Sequence, residues 1–218
     1  MTTTRPRFAA YMPLILPLIL ALAGCVPKAV ALAGSSAAPE RLPAGLLARA
    51  HQTIAFTWAY QDADLRAQGE GAARVAAPDS ARLDLFLAGG MGGGRAVILG
   101  DSLYLPANGG MLKRFLPPVA MFWAAIGRLA VPPGDTTVRV DASRTHADIG
   151  SGRETMRVTF EGDRLATLER ISDGGIVERV TRGDVRTEYE HLAARRKLTL
   201  VITRTTDAAS FDAAIFEP

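Results

Sequence analysis

Residues 154–189 read ETMRVTFEGDRLATLERISDGGIVERVTRGDVRTEY. Met156, Val158 and Phe160 recur at every second position, which puts them on one face of an extended strand. Gly162-Asp163 breaks the run, and Leu165 to Ile171 begins a second. Asp173-Gly174-Gly175 and Gly183-Asp184 then separate Val177 to Thr181 from Val185 to Tyr189. Asp-Gly pairs tolerate the positive φ that tight hairpin turns require. Strands of about five to seven residues with a turn about every ten describe an antiparallel meander.

The same pattern extends outward in both directions. Val138/Val140 precede it, with Gly150-Ser151-Gly152 as a further turn, and Leu198/Leu200/Ile202 follow it. Nearer the N-terminus, Ile54, Phe56, Trp58 and Tyr60 alternate with small or polar residues and give one face of a strand four large side chains. Past Pro78-Asp79-Ser80, Leu83, Leu85 and Leu87 point one way while Arg82 and Asp84 point the other. Ala96 to Leu99, Leu103 and Leu105 continue the pattern.

Two segments depart from period two. Leu46, Leu47, Ala50 and Ile54 share a helical face, so a helix is expected over 44–54, with Pro43 in its first turn. In PPVAMFWAAIGRL, residues 117–129, Val119, Phe122, Ile126 and Leu129 repeat at helical spacing, and Pro132-Pro133-Gly134 ends the run. Two short helices cannot cover both faces of some ten strands. The expected fold is therefore α+β: a curved antiparallel sheet forming an unclosed half β-barrel, with two or three covering helices.

The N-terminus carries Arg5 and Arg7 and then an apolar run from Ala9 to Leu22. The run is short of the about 20 residues that span a bilayer, and the order is that of a secretory signal. It closes on Leu22-Ala23-Gly24-Cys25. This resembles the bacterial lipobox, which implies that residues 1–24 are removed and that Cys25 carries a diacylglyceryl group. The alternative is an ordinary signal peptide with a chance cysteine near its end. Cys25 is the one cysteine of the chain, so no internal disulfide is available. Residues 25–42, rich in Ala, Ser, Gly and Pro, read as a flexible tether, and 43–218 as the folded domain.

The 218-residue chain has 25 Lys and Arg against 22 Asp and Glu. Arg5 and Arg7 leave with the signal, so the mature chain is close to neutral and carries no electrostatic footprint for nucleic acid. Arg195-Arg196-Lys197 is a short cluster suited to a solvated strand entry.

Chemistry-bearing motifs are sparse. His51, His146 and His191 lie far apart and offer no metal spacing. No Gly-x-Ser-x-Gly elbow occurs. Asp62 and Asp64, and Glu161 with Asp163, fit hairpin turns. Gly89-Gly90-Met91-Gly92-Gly93-Gly94 lacks the Lys-Ser/Thr end of a phosphate loop and leads into a strand. The sequence therefore reads as a non-enzyme that needs no metal or cofactor.

The order of these pieces resembles the LolA/LolB superfamily of lipoprotein localisation factors. The resemblance is carried by the Leu22–Cys25 box, Pro-Asp-Ser-Ala-Arg-Leu-Asp-Leu at 78–85, the glycine-rich hairpin, Phe122-Trp123-Ala124-Ala125-Ile126-Gly127, and the closing Phe211-Asp212-Ala213-Ala214-Ile215-Phe216-Glu217-Pro218. It implies an apolar cavity for acyl chains under a helical lid, in an outer-membrane lipoprotein facing the periplasm. Such a protein receives acylated cargo from a periplasmic carrier. Val26 after the cysteine, where enteric-type inner-membrane retention uses aspartate, agrees with that location.

On this reading Phe56 and Trp58 form one wall, Leu83, Leu85 and Leu99 the next, and Val158 and Phe160 the far side. Phe122, Trp123, Ile126 and Leu129 form the lid. Met91, the apolar tip of the glycine loop, is expected to touch the membrane. The runner-up is a structural lipoprotein that scaffolds an envelope complex around a filled core; a cavity of several hundred Å³ favours the carrier, and a packed interior favours the scaffold.

Overall fold

The computed structural model describes residues 26–47, 49–90, 92–107, 109–150 and 152–218. Cys25 and Met91 lie outside the described residues. The strands in chain order are β1 (Ser35–Ala37), β2 (His51–Gln61), β3 (Arg66–Ala76), β4 (Ser80–Leu87), β5 (Gly93–Leu99) and β6 (Ser102–Tyr104). Two helices follow, α1 (Gly110–Phe115) and α2 (Val119–Ala125). The chain then returns to strands: β7 (Thr136–Asp141), β8 (Arg144–Ile149), β9 (Glu154–Glu161), β10 (Arg164–Ser172), β11 (Gly175–Arg182), β12 (Arg186–His191) and β13 (Arg196–Asp207).

All thirteen belong to one antiparallel sheet ordered β1-β7-β8-β9-β10-β11-β12-β13-β2-β3-β4-β5-β6. Two meanders are thus joined by the long β13–β2 pairing, from Lys197 opposite Gln61 to Asp207 opposite Gln52. β1 and β6 are the two edges and do not pair with each other, so the barrel stays open. The chain must travel from the β6 edge to β7, at the opposite end of the sheet. The α1–α2 connection makes that journey across the concave side, and α2 packs on β10, β11 and β12. The lid position is a consequence of strand order.

The hairpins follow their turn chemistry. At the β10–β11 turn Asp173 and Gly174 both have positive φ, 47° and 76°, the backbone of a tight primed turn. Along one row the inward side chains are Val138, Ala147, Val158, Leu168, Val180, Tyr189, Leu198 and Tyr60, each opposite the next across the sheet. That row is buried throughout and forms the spine of the core.

Two expectations are corrected, and one strand is added. Among the described residues no helix forms over 44–54: 43–47 is irregular, and β2 starts at His51. Gly45 adopts φ +57° and its carbonyl accepts from the Leu129 amide, while Ile54 belongs to the period-two run. Burial of a strand face outweighs a weak helical spacing there. Residues 26–42 do not hang free as a tether. Lys28 bridges Gly175, β1 pairs with β7, and Val30 O accepts from Arg157 Nη1; edge pairing uses the backbone, which small residues supply as well as large ones. The added strand is β3, unread in the sequence because its inward residues are Gly69, Gly71, Ala73 and Val75. A Cβ on Gly71 would lie 2.6 Å from the Phe56 ring and 2.8 Å from Leu85, so the large neighbours require the small one.

Candidate functional site

Under α1 and α2 the concave face holds a hollow with almost wholly apolar walls. Ile54, Phe56 and Trp58 come from β2, Ala73 from β3, and Leu83 and Leu85 from β4. Leu198, Leu200 and Ile202 of β13, with Thr187 and Tyr189 of β12, complete the floor. Phe115, Leu116, Pro117, Phe122, Ala125 and Ile126 close it from above. Its volume is about 40 Å³, against about 300–1,000 Å³ for pockets that hold ligands of drug size.

The covering segment is held by few polar ties. Trp123 Nε1 donates to Gly100 O at 2.8 Å, so α2 reaches from the β10–β12 limb to the β5–β6 turn. Thr187 Oγ1 donates to Ala125 O at a long 3.4 Å. α1 is clamped at its C-terminal end, where Arg114 meets Asp62 at 2.7 Å. Asp62 also accepts from Tyr60 Oη at 2.6 Å and from the amides of Asp64 and Leu65. The Tyr60 hydroxyl above all, then the turn amides and Arg114, hold the Asp62 carboxyl well below the usual carboxylate range. Phe115 packs its ring 5.5 Å from Trp58 and 5.1 Å from Tyr60.

Behind Tyr189 the core holds a buried acid. Glu178 points inward from β11 and is 2% exposed; it accepts from Tyr189 Oη at 2.7 Å and from Arg170 Nε at 2.5 Å. Burial first, and the Glu178 carboxylate second, push the Tyr189 hydroxyl pKa upward, so it stays a donor. Each carboxylate oxygen thus has a donor, as a buried carboxylate requires.

Of the residues expected at the site, Phe56, Trp58, Leu83, Leu85, Phe122 and Ile126 do line the hollow. Val158 and Phe160 sit in the core deeper along the β9 limb. Trp123 is fully buried and faces the Gly100 turn. Leu129 packs on the 42–47 segment, where a Cβ on Gly45 would touch it at 2.5 Å. Leu99 is a correction: Ala96 and Ile98 carry the inward face of β5, and Leu99, paired with Ser80, points to the other. The β13 contribution and Tyr189 were not expected at the site, although the Leu198/Leu200/Ile202 alternation marks the right face. Among the described residues no three His, Cys, Asp or Glu side chains come together as a metal site would need, and no helix is long and apolar enough to cross a membrane.

The unclosed half-barrel with a crossing helical cover is similar in fold to solved proteins of the LolA type. A LolA-superfamily protein from Nitrosomonas europaea superposes with a TM-score of 0.53 at 10% identity, over 82% of this chain and 95% of the other. A domain named as an outer-membrane lipoprotein-sorting protein, from Vibrio parahaemolyticus, gives 0.50 at 10% identity, over 76% and 88%. No protein-family model and no curated protein matches the sequence. The likeness is therefore one of fold.

Proposed function

We propose that this chain is a lipid-anchored envelope protein that binds or passes on an acylated molecule, held non-covalently on the concave face of its half-barrel. The observation that carries this is the apolar hollow beneath α1 and α2, closed by a segment that packs on the sheet but has few polar ties to it. At about 40 Å³ the hollow is too small for an acyl chain as it stands, so on this reading loading requires the 110–129 segment to lift. Such displacement of a lid is an ordinary low-energy opening in binding proteins. The fold likeness supports a carrier. In this reading Cys25 bears the diacylglyceryl anchor, at about 0.8 kcal/mol per buried CH₂, and the protein faces the periplasm from the outer membrane. Met91 is the proposed membrane-touching tip, and a soluble periplasmic carrier is the proposed donor of cargo.

The near-filled interior favours a second reading, an interaction lipoprotein that scaffolds an envelope complex and carries nothing. The two part on one experiment. The full chain, extracted gently from membranes, is analysed by native mass spectrometry. A carrier arrives with acylated molecules that are released on denaturation; a chain consistently free of them is the scaffold. Separately, Cys25→Ser should abolish incorporation of labelled palmitate and move the protein from the membrane to the soluble fraction. Unchanged membrane retention would remove the anchor from the account.

A further inference from the structure

Two side-chain nitrogens among the described residues are covered yet have no hydrogen-bond partner: Nη1 of Arg128 and Nε of Arg182. Both flank the C-terminal end of α2, Arg182 beside Gly127 and Arg128 over the Trp123 ring. Arg182 closes β11 opposite Thr187, on the concave face. Gly127 makes room for it, since a Cβ there would lie 2.8 Å from Arg182 Nη1. Arg128 is the next residue, and its guanidinium carbon stands 4.7 Å above the Trp123 ring.

Ordinary packing accounts for only part of this. Arg182 Nη1 donates to Leu165 O at 3.1 Å, and the indole face takes one side of Arg128. On neighbouring strands Arg157, Arg164, Arg170 and Arg179 each hold a carboxylate, whereas Arg128 and Arg182 have none among the described residues. Burial pushes the Arg182 guanidinium pKa down, with the Arg164 charge adding to it. A cation taken partly out of water, with no counter-charge and idle donors, gains from an anion that joins it. Ala125, Ile126 and Thr187, which line the apolar hollow, border this spot, and both arginines keep part of their surface in water.

We propose that Arg128 and Arg182 form a seat for an anionic oxygen group, phosphate or carboxylate, at the head of the ligand whose chains enter under α2. This rests on the acyl-binding reading above and narrows it to anionic amphiphiles. Guanidinium forks match phosphate and carboxylate oxygens in pairs. The same lift of the 110–129 segment that opens the hollow frees the idle N–H groups, so head and chain are taken up together.

The test is calorimetric titration of the purified full chain with dodecyl phosphate, with uncharged glycerol monododecanoate, and with inorganic phosphate, each below its aggregation concentration. Wild type should bind dodecyl phosphate at least about tenfold more tightly than the uncharged ester. Arg182→Gln should erase that preference and leave the ester's affinity unchanged. Arg128→Gln should do the same, and it carries the test if the Arg182 variant fails to fold. Equal binding of both amphiphiles, untouched by either substitution, overturns the anion seat and leaves acyl binding standing. Binding of neither amphiphile and of no inorganic phosphate overturns both. Inorganic phosphate bound alone, and lost in both variants, keeps the seat as a free-phosphate site while the acyl reading falls.

Discussion

Gly71 shows how single residues shape the concave face. Its missing side chain is where the Phe56 ring and Leu85 meet, and a Cβ would come within 2.6 Å of the ring. Gly71→Ala should therefore overpack the site and cost about 1–3 kcal/mol, read as a lower urea midpoint with an unchanged slope. Gly69→Ala should be worse, since its Cβ would fall 1.8 Å from the Phe86 carbonyl oxygen, and a backbone neighbour cannot rotate away. A Gly71→Ala protein as stable as wild type would mean that the Phe56 packing has slack. The buried acid is a second case. Tyr189→Phe strips one donor from the Glu178 carboxylate and should cost about 1–3 kcal/mol, visible in the same titration. Neither Glu178 nor Arg182 is legible as an inward residue from sequence. In IVERVTR the two faces are both mixed, and only the register of β11 against β10 and β12 decides which set is buried.

At the scale of elements, α1 is six residues long, too short to persist without tertiary support. Its support is the Phe115 ring against Trp58 and Tyr60 and the Arg114–Asp62 pair. Asp62 has its pKa lowered in the folded chain, so its contribution is fully present above the ordinary carboxylate pKa of about 4 and is lost as pH falls through and below that value. Acidification below about pH 4 should loosen α1, seen as a shift of Trp58 emission as Phe115 withdraws. Asp62→Asn should show the loosened signal at neutral pH and no further change over the acid range. A variant that titrates like wild type would assign the acid response elsewhere. The C-terminal hairpins were readable because the alternation of Met156, Val158 and Phe160 and the turns built on Gly and Asp agree, even though β10 breaks the alternation at two register shifts. The stretch from Ala44 to Ile54 was not, because Leu46, Leu47, Ala50 and Ile54 fit a helical wheel by coincidence while Ile54 was already committed to the alternating strand. α1 has neither an acidic first turn nor a side-chain cap, so nothing local announces it.

For the whole molecule, the decisive feature is that one connection bridges the two ends of an open sheet. Sequence periodicity can say that a helix exists at 117–129; only the strand order, with β7 beside β1 and far from β6, says that it must cross the concave side. That is also why the candidate walls were readable as apolar positions while the size of the hollow was not. The crossing is pinned on one flank by the packing of α2 on β10–β12 and on the other by the Trp123 Nε1 bond to Gly100 O. Trp123→Phe keeps the aromatic filler and removes that far pin, at about 1 kcal/mol of stability. In a carrier, the closed state loses a tie that the open state does not have, so opening becomes more frequent. Uptake of a fluorescent fatty acid should then speed up several-fold, and amides of 119–126 should exchange faster with solvent. In a scaffold with a permanently filled interior, the same substitution lowers the melting temperature and admits no probe at all. Faster uptake with a modest stability loss thus ties the crossing helix to cargo entry. A stability loss alone, with no uptake by either protein, assigns α2 to the core and ends its role as a lid.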